Sequence, residues 1–394
     1  MIGSTPHSER LNIALYGRCN SGKSSLINAL TGQAVAIVSE QAGTTTDPVT
    51  KAMEITGVGA CIIIDTAGID DRSTLGLERT AKTRKMLERT DIALLLFTDV
   101  EPSAEIEWLE ELRRRGTKVI ALLSQCDRYP QPEILAGKIE QQTTLKPLCV
   151  SAHTGEGLDE LREAILSHAT KQEQLLTEGF CQAGDTVLLV MPQDEQAPKG
   201  RLIKPQVQTL RELLDRGCNA LCCTAEGMES ALAALAAPPK LIITDSQVFD
   251  KVYSLKPESS TLTSFSVLFA RYKGDIDLFV EGAKKLLSLT PSAHILIAEA
   301  CTHTPQHEDI GRVKLPRMLR RRIGEGVEIE IVGGDDFPED LTPYDLVIHC
   351  GGCMFNRRHL LSRIMRAAEQ GVPITNYGIA IAAMMGILER VKYK

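Results

Sequence analysis

The sequence predicts an α/β protein made of three α/β domains in line, and three observations predict it. Its 394 residues exceed one ordinary domain, so two or three folding units are expected, each large enough to bury a core. From Leu11 onward short apolar runs alternate with longer amphipathic segments, the rhythm of strands and crossover helices in a mainly parallel sheet. Near the amino terminus a glycine-rich loop stands between an apolar run and a helical segment. Composition agrees, because 43% hydrophobic and 24% charged residues are globular values that exclude a disordered or collagen-like chain.

The first domain, 1–170, has strands in LNIALYG, ACIIID, DIALLLFTD, KVIALLS and KPLCVS, and a helix over 157–169 closes it. The polar stretch KQEQLLTEG leads into the second, 171–265. There TVLLVM, NALCC and KLIITD read as strands, with helices over 205–216 and 227–236. Three strands are few for an independent sheet, so this domain is expected to lean on a neighbour or to pair with a second copy of itself, the latter making a homodimer or higher oligomer. The third, 266–394, follows the connecting stretch KVYSLKPESSTLTSF as a doubly wound parallel sheet. SVLFA, HILIAEA, VEIEIV and LVIHC are its strands, and a small-residue helix over 378–391 ends it.

Charge and cysteine usage narrow the function classes. The net charge of −7, from 44 Lys+Arg against 51 Asp+Glu, lacks the footprint of a general nucleic-acid binder. No run of about 18 apolar residues appears, and the start MIGSTPHSERLNIALYG has no signal-peptide pattern, so a cytoplasmic protein with no membrane partner is expected. In that reducing setting the 11 cysteines suit burial or metal binding better than disulfides. Cys61, Cys149, Cys222 and Cys223 lie in or beside apolar runs and are expected to be buried.

The loop itself reads G-x-x-x-x-G-K-S from Gly17 to Ser24, with Asn20, Ser21, Gly22, Lys23 and Ser25 completing the phosphate cradle. Its glycines let the backbone wrap a phosphate, successive N–H groups and the helix start bind it, Lys23 adds charge, and Ser24 ligates magnesium. Thr44 and Thr45, in GTTTD, supply a polar loop whose Thr45 hydroxyl is a second magnesium ligand. Asp65 and Gly68, in DTAG, stand at the tip of a buried strand, where the Gly68 N–H reaches a γ-phosphate. Lys23, Thr45, Asp65 and Gly68 are therefore the candidate catalytic residues.

Over about residues 10–170 these motifs resemble the Era- and MnmE-like branch of the small GTPases. The resemblance implies GTP and GDP as ligands, with Mg2+, and a K+ ion held at Asn20. It also implies a base-reading loop at Ser124-Gln125-Cys126-Asp127, where the branch has Asn-Lys-x-Asp, and a partner loop at Ser151-Ala152-His153. Asp127 still accepts from guanine N1 and N2 and opposes the lone pair on adenine N1. GTP is thus expected over ATP, with modest affinity for want of the Asn and the Lys. Ile69 follows DTAG where Ras-like proteins carry the water-orienting Gln, so slow hydrolysis is expected.

A second constellation sits in the third domain. Cys301 and His303 follow HILIAEA, and His349, Cys350 and Cys353 follow LVI, so both groups fall at the carboxyl ends of strands, the ligand-binding edge of a parallel sheet. Thiolates with nearby histidines suit an iron–sulfur cluster or zinc, and the spacing alone leaves a metal-free reading open beside them. Together with the GTPase motifs, the pattern C-x-H…H-C-x-x-C resembles the FeFe-hydrogenase maturation GTPases over essentially the full chain. That resemblance implies a 4Fe-4S cluster on Cys301, Cys350 and Cys353, with His303, His349 or Glu308 as an exchangeable fourth ligand or, for the histidines, an outer hydrogen-bonding group. It implies a scaffold that carries a transient di-iron subcluster between the radical-SAM maturases HydE and HydG and the FeFe-hydrogenase apo-protein. Two alternatives stand beside it: an Era/MnmE-like GTPase of RNA or ribosome maturation, and a GTP-regulated binding protein with a structural zinc.

Overall fold

The structure is a computed structural model that describes residues 10–32, 39–41, 49–70, 74–98, 101–169, 175–192, 202–300, 310–352 and 354–394. It divides into two compact units, Met1–Gln172 and Glu173–Lys394. In the first, the elements run β1 (Leu11–Gly17), α1 (Lys23–Gly32), β2 (Ser39–Gln41), β3 (Val49–Ile55), β4 (Gly59–Asp65), α2 (Thr74–Leu87), β5 (Ile92–Phe97), α3 (Ser103–Arg114), β6 (Lys118–Ser124), α4 (Pro132–Thr143), β7 (Leu148–Val150) and α5 (Leu158–Ala169). They build one seven-stranded sheet ordered β2-β3-β4-β1-β5-β6-β7.

Its central strands are buried on both faces, which is why they read as unbroken apolar runs. Ile13, Leu15, Leu94 and Leu96 pack into one core, while Ala14, Tyr16, Ala93, Leu95 and Phe97 of the same two strands pack into the other. The two strands beyond β4, the inner β3 and the edge strand β2, depart from the expected parallel rhythm. β3 pairs antiparallel with β4 from Val49↔Asp65 to Ile55↔Gly59, and β2 pairs antiparallel with β3. VTKAMEI, with a charged residue at every third position, carries no strong strand signal.

The second unit continues with β8 (Thr186–Val190), α6 (Lys204–Asp215), β9 (Asn219–Cys223), α7 (Met228–Ala233), β10 (Leu241–Thr244), α8 (Phe249–Leu255), β11 (Thr261–Ser264), α9 (Phe265–Lys273), α10 (Ile276–Leu286), β12 (His294–Glu299), α11 (Leu315–Ile323), β13 (Glu328–Gly333), β14 (Leu346–His349), α12 (Arg357–Glu369), β15 (Ile374–Asn376) and α13 (Tyr377–Met384). Two four-stranded parallel sheets result, ordered β11-β10-β8-β9 and β13-β12-β14-β15. One hydrophobic core joins them, holding Leu188 and Ile242 of the first sheet together with Leu296 and Val347 of the second. The chain end also returns to the first sheet, where Lys392 N–H donates to the Leu262 carbonyl at 2.8 Å.

Several expectations are corrected here. The first small sheet has four strands, because TLTS, read as connecting chain, pairs with β10. SVLFA is helix: the Ser264 hydroxyl accepts from the Val267 N–H at 3.2 Å and starts α9. Its residues Val267, Leu268, Phe269 and Ala270 are all buried, and a helix buried on most sides presents the same short apolar run as a buried strand. The second small sheet gains β15, too short to read. The last helix stops at Met384, and Gly386, at φ +70°, turns the chain out of it into a short 3-10 turn at Leu388–Arg390. Cys61 is buried, Cys149 and Cys223 are half-buried, and Cys222 is exposed because it lies on β9, the edge strand.

Gly282 of α10 has no room for a side chain, since a Cβ there would lie 2.1 Å from the Ile374 carbonyl oxygen of β15. Alanine in a helix interior is ordinarily about 1 kcal/mol better than glycine. Here overpacking, typically about 1–3 kcal/mol, reverses the sign. Gly282→Ala is expected to lower the thermal midpoint of the chain, measured by thermal unfolding.

Candidate functional site

The nucleotide site is assembled where β1, β4, β6 and β7 end. Register Leu15↔Asp65 sets the loop after Gly17 beside the tip of β4. The loop curls through Asn20 at φ +61° and Gly22 at φ +88°, the left-handed turns from which an anion-binding nest of backbone N–H groups is built. Lys23 is buried and its ammonium donates to the carbonyls of Gly17 and Arg18, both at 2.8 Å. Burial pushes its pKa down, and the Asp65 carboxylate pulls the other way. The Ser24 hydroxyl, on the first turn of α1, donates to Asp65 Oδ2 at 2.5 Å. Ser25 follows it on the same turn.

Two buried polar atoms at this place, Ser21 Oγ and Asp65 Oδ1, have no hydrogen-bond partner among the described residues. Buried oxygens are normally satisfied, so a phosphate and a magnesium ion with its water suit these groups. Gly68 presses on the loop, and a Cβ there would fall 2.2 Å from Cys19 Sγ. The Asp70 carboxylate accepts from the Cys19 N–H at 2.7 Å, and the Ile69 N–H donates to the Gly17 carbonyl at 3.2 Å. The segment after Asp65 is thereby docked on the phosphate loop. Thr44 and Thr45 lie outside the described residues.

The base-reading loop follows β6. Gln125 takes a left-handed conformation at φ +57°, and its Nε2 donates to the Asn20 carbonyl at 2.9 Å while its Oε1 accepts from Arg128 at 2.7 Å. The altered Asn-Lys-x-Asp pattern does not reveal this tie between the two nucleotide loops. A hydrogen bond from the Ser151 hydroxyl is the main cause that holds the Asp127 carboxyl below its usual range, with His153 adding a smaller pull. Asp127 is therefore ready as an acceptor, and Ala152 sits beside Ser151 after β7. A second anchor that the motif does not reveal is Arg18. Its Nε meets Glu105 Oε1 at 2.9 Å, and its Nη2 donates to the Glu101 carbonyl at 2.6 Å.

The cysteine constellation is described in part. β12 and β14 are parallel neighbours with Ala298 opposite His349, so both chains leave the sheet at one edge. The Cys350 N–H donates to the Ala298 carbonyl at 2.9 Å, and Cys350 Sγ accepts N–H groups from Ala300 at 3.0 Å and Gly352 at 3.5 Å. Such N–H donors favour a thiolate, so Cys350 fits the role of a metal-bound sulfur. Cys301, His303, Glu308 and Cys353 lie outside the described residues, and among the described residues no group of three or more His, Cys, Asp or Glu is placed to hold a metal ion.

His349 is fully buried. Its Nε2 faces Arg363 Nη1 at 3.2 Å and its Nδ1 faces the Cys350 carbonyl at 2.8 Å. Because guanidinium only donates, Nε2 is the acceptor and Nδ1 carries the hydrogen. Burial, then Arg363, pushes its pKa down to about 3. Of the two roles expected for His349, this pairing favours the hydrogen-bonding one, since both ring nitrogens are engaged. Arg320, Arg321 and Arg322 are exposed on the last turn of α11.

Comparison with known proteins decides the family. The family model of the hydrogen maturase F dimerization domain matches residues 176–274, and that of the hydrogen maturase F tetramerization domain matches 277–392. The chain belongs to the hydrogen maturase F family. The 50S ribosome-binding GTPase model matches residues 12–125, so a GTPase domain, of a fold that binds GTP or GDP with Mg2+, precedes the family's two oligomerisation domains. That domain is 38% identical over 164 residues to tRNA modification GTPase MnmE of Bordetella petrii, covering 41% of this chain and 34% of that protein. It is 45% identical over 103 residues to GTPase Der of Campylobacter concisus, covering 25% of this chain and 22% of that protein. The chain thus spans about a third or less of the length of these two relatives. Among solved structures, the G domain of the FeoB iron transporter of T. maritima is 26% identical with a TM-score of 0.33, covering 41% of this chain and 100% of that one. No helix among the described residues is long and apolar enough to cross a membrane.

Gln125→Ala removes a single tie between the two nucleotide loops. A net hydrogen bond contributes roughly 0.5–1.5 kcal/mol, so GTP and GDP affinity is expected to fall about two- to tenfold in titration calorimetry, with the fold unchanged.

Proposed function

We propose that this chain is a GTP-hydrolysing maturation factor of FeFe-hydrogenase, acting as scaffold and carrier of the di-iron subcluster. The single observation that carries the reading is the union, in one chain, of a complete phosphate loop with the two hydrogen maturase F domains. Support for the metal side comes from Cys350, whose sulfur takes two backbone N–H donors at the sheet edge where Cys301 follows Ala300 in sequence. In this reading residues 1–170 are the GTPase domain, 171–265 the dimerisation domain and 266–394 the iron–sulfur domain.

On the nucleotide side, the loop amides and Lys23 hold the phosphates, Ser24 and Thr45 hold Mg2+, Asp65 orients its shell through Ser24, and Gly68 meets the γ-phosphate. Asn20 holds K+, and Asp127 with the Ser151-Ala152 loop reads guanine. With Ile69 where a water-orienting Gln would stand, hydrolysis is slow and potassium-stimulated. Its role is to alter contacts with partners, the maturases HydE and HydG and the apo-hydrogenase. On the metal side, Cys301, Cys350 and Cys353 hold the cluster, with His303 or Glu308 as the exchangeable ligand and His349 behind Cys350. A 4Fe-4S cluster bound there supplies one replaceable iron coordination position for the di-iron cargo. The protein works in the cytoplasm as a homodimer or higher oligomer.

Anaerobic reconstitution with iron and sulfide, followed by EPR of the reduced protein, tests the metal assignment. A 4Fe-4S signal present in the wild type and lost in Cys301→Ala, Cys350→Ala and Cys353→Ala is expected. Stoichiometric zinc and no cluster in any preparation would contradict it. For the nucleotide side, calorimetry is expected to give tighter binding of GTP than of ATP, and replacing K+ by Na+ is expected to slow phosphate release several-fold. Equal affinities, or a rate indifferent to the cation, would overturn those assignments.

A further inference from the structure

The turn after β14 is gripped by two buried cations from different helices. Lys273, the last residue of α9, is 2% exposed, and its ammonium donates to the carbonyls of Gly352 at 3.1 Å and Phe355 at 2.9 Å. Arg363, near the middle of α12, is 1% exposed. Its guanidinium lies between the rings of Phe337 and Phe355, 4.6 and 4.5 Å from their centroids. One arm of its fork reaches His349 and the other the Gly334 carbonyl. The described residues they hold, His349, Gly352 and Phe355, flank Cys350 in sequence.

Taking an ammonium and a guanidinium out of water is costly, and closing a short turn asks for no charge at all. A neutral or apolar side chain would close it at lower cost. Both cations nevertheless converge on the one segment whose first sulfur is already braced by two N–H donors. Gly352, at φ +62°, allows the sharp bend that turns its carbonyl to Lys273 and its N–H to Cys350 Sγ. The rigid planar fork of Arg363, wedged between two rings, fixes His349, which in turn bonds the Cys350 carbonyl.

We propose that Lys273 and Arg363 are positioning residues for an anionic iron–sulfur centre at Cys350, holding His349, Gly352 and Phe355 around that cysteine and setting two fixed positive charges near the metal. This rests on the cluster reading given above. A cluster bound by three thiolates is anionic and gains a further negative charge on one-electron reduction. Positive charges in a poorly solvated site stabilise that reduced state, in the same direction as N–H donors to sulfur.

The test uses the full chain, reconstituted anaerobically with iron and sulfide, as wild type, Lys273→Met, Arg363→Met and Arg363→Lys. Iron and sulfide content, the reduction potential from an EPR-monitored dithionite titration, and the thermal midpoint of the iron-free protein are measured on each. Both methionine variants are expected to disfavour reduction about tenfold, a shift of about 59 mV to more negative potential for a one-electron couple. Arg363→Lys, which keeps the charge, is expected to stay near the wild-type potential. Should Arg363→Met fail to fold, Lys273→Met and Arg363→Lys still carry the comparison. Methionine variants that bind a full cluster at an unchanged potential overturn the proposal and leave the cations a purely structural role. A wild type that binds no cluster fails the underlying reading and this proposal together.

Discussion

The register of β1 against β4, and of β12 against β14, fixes where the chemistry of this chain sits. Parallel strands all end at one edge of their sheet, and the loops that leave that edge are the only segments free to converge on a ligand. Leu15 opposite Asp65 brings the phosphate loop to the tip carboxylate. Ala298 opposite His349 brings Ala300 to the sulfur of Cys350. Because side chains alternate along a strand, a slip of one residue would turn Asp65 away from Ser24 and His349 away from Arg363. The two differently shaped cores on the faces of the central strands guard against that slip, since it would carry Ile13 and Leu15 into the space packed around Ala14 and Tyr16.

Around the nucleotide loop the protein satisfies several polar groups with its own atoms and leaves Ser21 Oγ and Asp65 Oδ1 without a partner among the described residues. Lys23 bonds two loop carbonyls, Ser24 bonds Asp65, and Asp70 accepts from the Cys19 N–H. The Lys23 ammonium, the Ser24 hydroxyl and the Cys19 N–H are groups that a phosphate or a magnesium ion engages, so nucleotide binding exchanges existing bonds for new ones and its net gain is small per contact. The Asp70 contact ties the segment after Gly68 to the phosphate loop. A carboxylate held against the loop amide occupies that donor and repels an incoming phosphate. Gln125 works in the other direction, joining the base loop to the phosphate loop through Asn20.

Legibility followed burial and sequence distance. The strands β1, β4, β5 and β6 stood out because helices cover both faces and leave unbroken apolar runs. The same rule misread SVLFA, a helix so enclosed that its polar face vanished, and it passed over the half-exposed β3 and the short β11 and β15. The phosphate loop was legible as a motif because its geometry is encoded within eight residues. The tie from Gln125 to Asn20 spans 105 positions, and that from Lys273 to Gly352 spans 79, so no local pattern announces either. Only the fold brings such partners together. The exposure of Cys222 likewise depends on strand order, which composition does not carry.

The central claim is that one chain holds a guanine nucleotide and an iron–sulfur cluster together. Native mass spectrometry of the anaerobically reconstituted protein, with GTP and Mg2+ present, tests it directly. The account predicts a species in which each chain carries one guanine nucleotide and the added mass of four irons and four sulfides. Chains that carry zinc, or a nucleotide but no iron and sulfide under any reconstitution, would contradict it.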